Sequence, residues 1–240
     1  MAKNQLGYQN LSRLSSLGFI EGFYYKPRID KELIKKYKEG LIATTCCLAS
    51  EVLRTLINKG EDAGEKVFLE WLDLFGEDYY IELMRHEIRE QEMVNPVLLK
   101  WSAKYNVKVI ATNDVHFLNQ DDSKAQDILV RIQTNLTIDE KSKLNFSDKF
   151  FFRTGQQMAD LFPDVPQAIE NTMEVFSKIT APQLTRDVLL PVFKLPENFN
   201  SADDYLLHLT LIGAKKKYGE ISSIVSERIT FELKVIKDMG

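Results

Sequence analysis

Apolar residues in the first half of the chain fall into short continuous runs that alternate with segments of helical periodicity. Continuous runs at residues 41–45, 79–83 and 107–111 predict buried strands. Between the runs, apolar residues recur every three or four positions, as on one face of an amphipathic helix; one such set is Val67, Phe68, Trp71, Leu72 and Phe75. Buried strands separated by helices predict a parallel sheet in an α/β fold or barrel.

Capping and breaking residues predict where the helices begin and end. Asp30, Ser50 and Ser201 each precede a helical pattern and are suited to accept hydrogen bonds from free N–H groups of the first turn. Gly18 is predicted to end the first helix. Pro96 lies in the helix that follows the second strand and predicts a kink or a late start there.

Side chains able to bind metals or anions follow all three predicted strands. In chain order they are Cys46 and Cys47, Arg85 and His86, and Asp114 and His116. Asp114 and His116 are two residues apart, so in extended backbone they point the same way and can grip one metal ion. The alternative interpretation is a capping Asp beside a structural His. Chemistry in parallel α/β folds gathers beyond the carboxyl ends of the strands, which favours a shared polar or metal site.

Composition and charge exclude several classes of protein. The 240 residues carry a net charge of −4, which predicts no basic surface for nucleic acid, so any main DNA-binding surface is expected elsewhere. No run approaches the roughly 20 apolar residues of a membrane span, and the first residues do not lead into a signal peptide. Adjacent cysteines are unsuited to an ordinary cross-link. A reduced, cytoplasmic setting without a membrane partner is therefore expected.

The second half of the chain changes character. Phe150, Phe151 and Phe152 predict a short strand used for packing and not a platform for stacking bases, because no basic groove accompanies them in the sequence. Residues 188–199 contain prolines that exclude a helix and predict a domain linker. Helical patterns then fill residues 200–240.

Several segments together resemble one family, the alpha subunit of bacterial DNA polymerase III, and they occur in the order of that family along nearly the whole chain. The matching segments are residues 7–11 (GYQNL), 21–28 (EGFYYKPR), 47–51 (CLASE), 82–86 (ELMRH), 111–117 (ATNDVHF) and the tail at 227–240. The resemblance implies that residues 1–187 are the C-terminal portion of a PHP (polymerase and histidinol phosphatase) domain. It also implies that residues 200–240 are the helical start of the polymerase palm.

A PHP domain of this family is a distorted, TIM-like βα barrel with a metal cluster at its C-terminal face. By resemblance, Cys47, Asp114 and His116 match three ligand positions of that cluster, and Arg85 and His86 match a motif beside it. Thiolate, carboxylate and imidazole suit zinc or a similar divalent ion. Arg85 and His86 are expected to be supporting residues, and His86 could equally be a structural His. Cys46 stands where the family has a small residue, so it is expected to pack as a small hydrophobe.

The chain also departs from the family pattern. A complete PHP domain begins with a His-x-His strand and gathers further ligands there, and the palm carboxylates that hold magnesium for nucleotidyl transfer lie beyond residue 240. The sequence is therefore expected to be a fragment of a DNA-directed DNA polymerase, inactive alone. Its expected partners are the remainder of the alpha subunit, the proofreading exonuclease subunit, other replicase components and primer–template DNA bound by the parent. An exposed barrel edge would also favour self-association of the fragment.

Two other functions fit parts of the pattern. A stand-alone PHP-type metal-dependent phosphoesterase would need a His-rich first strand, yet His86, His116 and His208 are the three histidines of the sequence. A non-catalytic PHP scaffold for partner binding would need no metal ligands. The presence of Cys47, Asp114 and His116 argues mildly against that second alternative.

Overall fold

Three short parallel strands form the sheet around which the first part of the chain is built. The computed structural model describes residues 1–138, 140, 147–185, 188 and 191–239. In this part of the chain the strands are β1 (Ala43–Thr44), β2 (Tyr79–Leu83) and β3 (Val109–Ala111), and they lie in the sheet in chain order. Ala43 pairs with Tyr79, and Ile81 pairs with Val109. Each strand falls inside a predicted run, so the mixed α/β prediction with a parallel sheet is confirmed.

The chain divides into two units, Met1–Leu184 and Thr185–Gly240. Helices of the first unit are α1 (Gln5–Ile20), α2 (Lys31–Tyr37), α3 (Glu51–Lys59), α4 (Glu61–Phe75), α5 (Arg89–Tyr105), α6 (Ser123–Thr134), α7 (Gly155–Leu161) and α8 (Gln167–Ser177). Single turns of 3₁₀ helix occur at Gly76–Asp78 and Gln120–Asp122. The second unit contains α9 (Ala202–Tyr218) and α10 (Ser223–Met239), as its helical pattern predicts. Residues 189 and 190 of the predicted linker, and residues 186 and 187 before it, lie outside the described residues.

The three predicted N-caps are present. The side chains of Asp30, Ser50 and Ser201 each accept a hydrogen bond from the backbone N–H three residues later, at 2.8, 3.3 and 3.1 Å. Each bond satisfies a donor that the first helical turn leaves without a partner. These helix starts are therefore determined by local sequence.

Two predicted boundaries are wrong. Gly18 lies inside α1, which continues to Ile20, and a Cβ at this glycine would come within 3.3 Å of Ile29 Cγ2. Gly18 therefore allows close packing and does not stop the helix. Pro96 also lies inside its helix, because α5 begins seven residues earlier at Arg89. Of the two predicted alternatives at Pro96, the late start is wrong and the kink stays a prediction.

The larger core lies on the face of the sheet covered by α3, α4 and α5. Phe68, Leu98 and Trp101 are fully buried there, and the Phe68 and Trp101 rings lie 5.2 Å apart. Alternate residues of β2 point into this core; they are Tyr79, Ile81 and Leu83. Burial of this much apolar surface is the dominant favourable term in the stability of the unit.

A smaller core lies on the opposite face, against α8. Ile42, Tyr80, Ile110 and Val175 form it. The Tyr80 hydroxyl donates a hydrogen bond to Glu174 Oε1 at 2.8 Å. The described residues thus form an open three-stranded sheet with helices on both faces. The prediction was a partial, distorted TIM-like barrel; the described residues show the parallel sheet of that prediction but not a barrel.

Candidate functional site

The loop that follows β3 is fixed through Asn113, which is buried. Its side-chain amide donates to the Phe151 carbonyl at 2.7 Å, and its side-chain oxygen accepts from Arg153 Nε at 3.2 Å. Its backbone carbonyl accepts from His86 Nε2 at 2.9 Å. Residues from the end of β2 and from the 150–153 segment therefore hold this loop from two sides.

Asp114 and His116 come together immediately after that anchor. His116 Nε2 lies 3.6 Å from Asp114 Oδ2, and both side chains are partly exposed. Asp114 has a φ of 41°, in the left-handed region that Asp and Asn tolerate better than most residues. The His116 N–H donates to the Phe150 carbonyl at 2.9 Å, which fixes the backbone on the far side of the pair. A carboxylate and an imidazole are thus presented together to solvent.

His86 is buried, with 1% of its surface exposed, and both ring nitrogens are hydrogen-bonded. The carbonyl of Asn113 can only accept, so Nε2 carries the proton, while Nδ1 lies 3.0 Å from Gln91 Nε2 and 3.3 Å from Gln91 Oε1. The ring stacks on Phe150 with centroids 3.9 Å apart. With both nitrogens in use, His86 has the environment of a structural residue that supports the loop carrying Asp114.

Arg85 binds away from the Asp114–His116 pair. Its guanidinium donates two hydrogen bonds to Asp164, at 2.7 and 2.8 Å, and one to the Leu161 carbonyl at 2.6 Å. It also lies 4.7 Å from the centre of the buried Phe162 ring. Hydrogen bonding from Arg85 lowers the pKa of Asp164. Arg85 therefore joins the end of β2 to the connection between α7 and α8.

The two cysteines follow β1 as free thiols. Cys46 is exposed with a φ of 60°, and its N–H donates to Thr44 Oγ1 at 3.2 Å. Cys47 is partly buried, and its carbonyl accepts from the N–H of Ser50, the cap of α3, at 2.9 Å. Cys46 is thus not the buried small hydrophobe that the sequence predicts.

The described side chains of this group do not form a complete metal centre. Across the residues that the structure describes, no three His, Cys, Asp or Glu side chains lie close enough to share one ion. The structure pairs Asp114 with His116 but does not add Cys47 as a third ligand. A zinc site needs at least three protein ligands, so the described residues do not complete one. The ligand roles of Cys47, Asp114 and His116 stay a prediction.

Sequence reasoning missed Glu82, the charged residue at the centre of the sheet. Its two carboxylate oxygens accept hydrogen bonds from the hydroxyls of Thr44 and Thr112, one on each side, both at 2.6 Å. Its N–H donates to Thr45 Oγ1 at 2.9 Å. The signal in the sequence was an acidic residue inside an otherwise apolar strand. A buried strand tolerates a carboxylate only where other groups donate hydrogen bonds to it. Glu82 lines a cleft of about 510 Å³ whose walls include Thr44, Thr112, Ile42, Ile110 and Val175.

No helix among the described residues combines the length and apolar character needed to cross a bilayer.

Residues 1–86 match the PHP domain family, within the predicted span of 1–187.

The chain is also similar to proteins described as DNA polymerase III subunit alpha. It is 40% identical to that of Borreliella burgdorferi over 243 aligned residues, which cover 100% of the chain and 21% of the relative. Identity is 36% over 241 residues with Treponema pallidum and 38% over 256 residues with Aquifex aeolicus. Those alignments cover 100% of the chain and 21% and 22% of the relatives. The chain thus spans about a fifth of the length of the curated relatives it matches.

Proposed function

We propose that this chain belongs to the family of bacterial DNA polymerase III alpha subunits and works as one part of a longer replicative DNA polymerase. The observation that carries the proposal is the alignment with three such subunits over 100% of the chain. Template-directed DNA synthesis is then the activity of the intact protein. The polymerase carboxylates and their magnesium ions lie outside these 240 residues in this proposal.

The proposed contribution of this chain is a PHP-domain scaffold over residues 1–187, a linker over 188–199 and the helical start of the palm over 200–240. The order of the strands supports the first part. Parallel strands that neighbour one another in chain order are the arrangement of consecutive βα units in a barrel. We propose that β1, β2 and β3 are consecutive strands of a distorted barrel.

A divalent ion, zinc or a similar metal, is proposed at the PHP site of the intact protein. Cys47, Asp114 and His116 would supply part of its ligands, with His86 and Arg85 in supporting positions. The pairing of Asp114 with His116 supports this role. The remaining ligands would come from residues outside this chain, in line with the incomplete cluster described above.

The proposed partners are the remainder of the alpha subunit, the proofreading exonuclease subunit, other replicase components and primer–template DNA. The proposed location is the cytoplasm. Alone, the chain is expected to self-associate, because apolar side chains such as Ile224 and Phe231 of the second unit are largely exposed. Solution scattering over a concentration series measures this.

Side-by-side assays of this chain and of the full-length alpha subunit that contains it test the proposal. Primer extension is measured on a labelled primer–template with magnesium, and phosphoesterase activity on a chromogenic phosphate ester. Extension is expected from the full-length subunit and neither activity from the chain alone. Phosphoesterase turnover by the chain alone that disappears in Asp114→Ala, but persists in the matched control Asp121→Ala, would replace this proposal with a stand-alone phosphoesterase.

A further inference from the structure

An exposed cluster of rings at the end of α1 and in the connection to α2 has no role in the functions described so far. We call residues 19–28 the aromatic turn. Its side chains include Phe19, Phe23, Tyr24 and Tyr25, all largely exposed, and Tyr25 is 84% exposed. Large adjoining apolar side chains on the surface of a folded unit mark sites of interaction.

The backbone of the aromatic turn is held in place by close contacts. A Cβ at Gly22 would come within 1.9 Å of the Arg28 carbonyl oxygen, so this approach requires glycine. The Tyr24 N–H donates to the Lys26 carbonyl at 3.1 Å, and Tyr25 at the apex has a φ of 61°. A backbone this constrained presents its rings in a preorganised arrangement, which lowers the entropy lost on binding.

The rings themselves are ordered by neighbouring groups. The Arg28 guanidinium lies 4.5 Å from the centre of the Tyr24 ring and donates to the Tyr24 carbonyl at 2.7 Å. Tyr24 meets Tyr25 edge to face at 4.6 Å, and Phe19 stacks with Phe23 at 6.4 Å. The cation on Tyr24 fixes that ring, whereas the Tyr25 ring extends into solvent.

A basic groove adjoins the aromatic turn. It is a cleft of about 1050 Å³ that begins at Pro27 and Arg28 and continues along α3 past Arg54 and Lys59. In the described part of the chain, none of these three cations forms an ion pair with a carboxylate. The one acid lining the groove, Glu51, is bound by Lys31.

Three cations and one acid line this groove, so its local charge is positive although the net charge of the chain is −4. The other side of the turn is different. There Glu21, Asp30 and Glu32 line a separate cleft with Arg28 and Lys36, so an anionic chain is expected to follow α3 and avoid that cleft.

We propose that the aromatic turn and the basic groove together form a binding site for single-stranded DNA. Stacking rings beside a cationic groove are what single strands require, because bases stack on the rings while phosphates follow the cations. An apolar protein segment would use the rings but would leave Arg54 and Lys59 without partners. The choice of DNA over other single strands rests on the proposed function.

Fluorescence anisotropy with the whole 240-residue chain and a labelled twelve-nucleotide thymidine oligomer tests the site. Tyr25→Ala is expected to raise Kd about tenfold, because stacking contributes roughly 1–3 kcal/mol per base. Tyr25→Trp keeps a ring and is expected to keep the affinity. Arg54→Ala and Lys59→Ala are each expected to reduce the slope of log Kd against log salt by about 0.7.

Matched controls are an exposed ring and an exposed lysine elsewhere in the same unit, Phe152→Ala and Lys124→Ala, which are expected to leave Kd unchanged. Circular dichroism verifies that each variant is folded. The proposal is overturned by absence of binding at low salt, by unchanged Kd in Tyr25→Ala, or by equal weakening in the controls. Binding needs neither metal nor catalysis here, so primer extension by the full-length subunit can fail or succeed independently of this result.

Discussion

The two faces of the sheet differ in how they are closed. On one face, α3, α4 and α5 bury a large apolar core in which Phe68 and Trp101 are inaccessible to solvent. On the other face a small core against α8 gives way to a row of polar side chains, Thr44, Glu82 and Thr112, along an open cleft. One sheet therefore serves a sealed hydrophobic core and a partly polar surface.

This difference arises from the alternation of side chains in β2. Tyr79, Ile81 and Leu83 point to one face, and Tyr80 and Glu82 point to the other. Most of the free energy of folding is expected to come from the sealed face. The polar face is available for further contacts, and in the proposed barrel it would face the interior.

The largest expected change in stability comes from truncating one isoleucine on each face of the sheet. Ile81→Ala on the sealed face is expected to lower the free energy of unfolding by about 4 kcal/mol, because the cavity left behind cannot collapse. Ile110→Ala on the cleft face is expected to cost only about 2 kcal/mol, because water can enter the space. Urea unfolding followed by circular dichroism measures both.

Equal losses for the two isoleucine variants would contradict the comparison. Ile128→Ala, an exposed isoleucine on α6, serves as the control and is expected to change stability by less than about 0.5 kcal/mol.

The polar row gives a smaller effect. Thr112→Val removes one of the two hydroxyls bonded to Glu82 and is expected to cost about 1 kcal/mol, the usual net contribution of one hydrogen bond. Thr55→Val on α3, whose hydroxyl forms no side-chain bond in the structure, is the control. A stability gain in Thr112→Val would show that the Glu82 carboxylate is satisfied by water instead.

The smallest expected effect is the loss of the stability that Glu174 contributes as the pH falls. Hydrogen bonding from Lys108 lowers the pKa of Glu174, which also accepts a bond from Tyr80 on the cleft face. A lowered pKa in the folded state stabilises the fold above the unfolded value of about 4.3, and this stabilisation disappears as pH falls through the folded pKa. Glu174→Gln is expected to cost about 0.5–1 kcal/mol at pH 7, and this cost is expected to shrink as pH falls through the lowered pKa of Glu174.

Thermal unfolding of wild type and Glu174→Gln between pH 3 and 7 measures this difference. Glu170→Gln, an exposed acid on the same helix, is expected to show no such pH dependence. A constant gap between wild type and Glu174→Gln at all pH values would contradict the assignment.

Local features of the sequence predict much of the fold. The run at 79–83 and the caps Asp30 and Ser50 determine where β2, α2 and α3 begin, because each depends on residues a few positions apart. The helix end at Gly18 was predicted wrongly. Gly18 is needed for its close packing against Ile29, and a contact between residues this far apart is not visible in the local sequence.

The site depends on contacts between residues that are far apart along the chain, so the sequence predicted only part of it. The spacing of Asp114 and His116 brings them together by local geometry. The partners of Glu82 depend on sheet register, which pairs it with Ile110 and which the sequence does not reveal. The partner of Arg85 is Asp164, 79 positions away along the chain. Pattern reasoning cannot supply such contacts.

The buried ring of His86 has a spectroscopic use. With Nε2 donating to the Asn113 carbonyl and Nδ1 beside the Gln91 side-chain amide, this imidazole carries a proton on Nε2. The sequence contains only three histidines, so a ¹⁵N–¹H spectrum of the imidazole side chains would be simple to assign. A slowly exchanging Nε2 proton in that spectrum would give a direct magnetic-resonance reporter of the junction between β2 and the loop after β3, without any substitution in the protein.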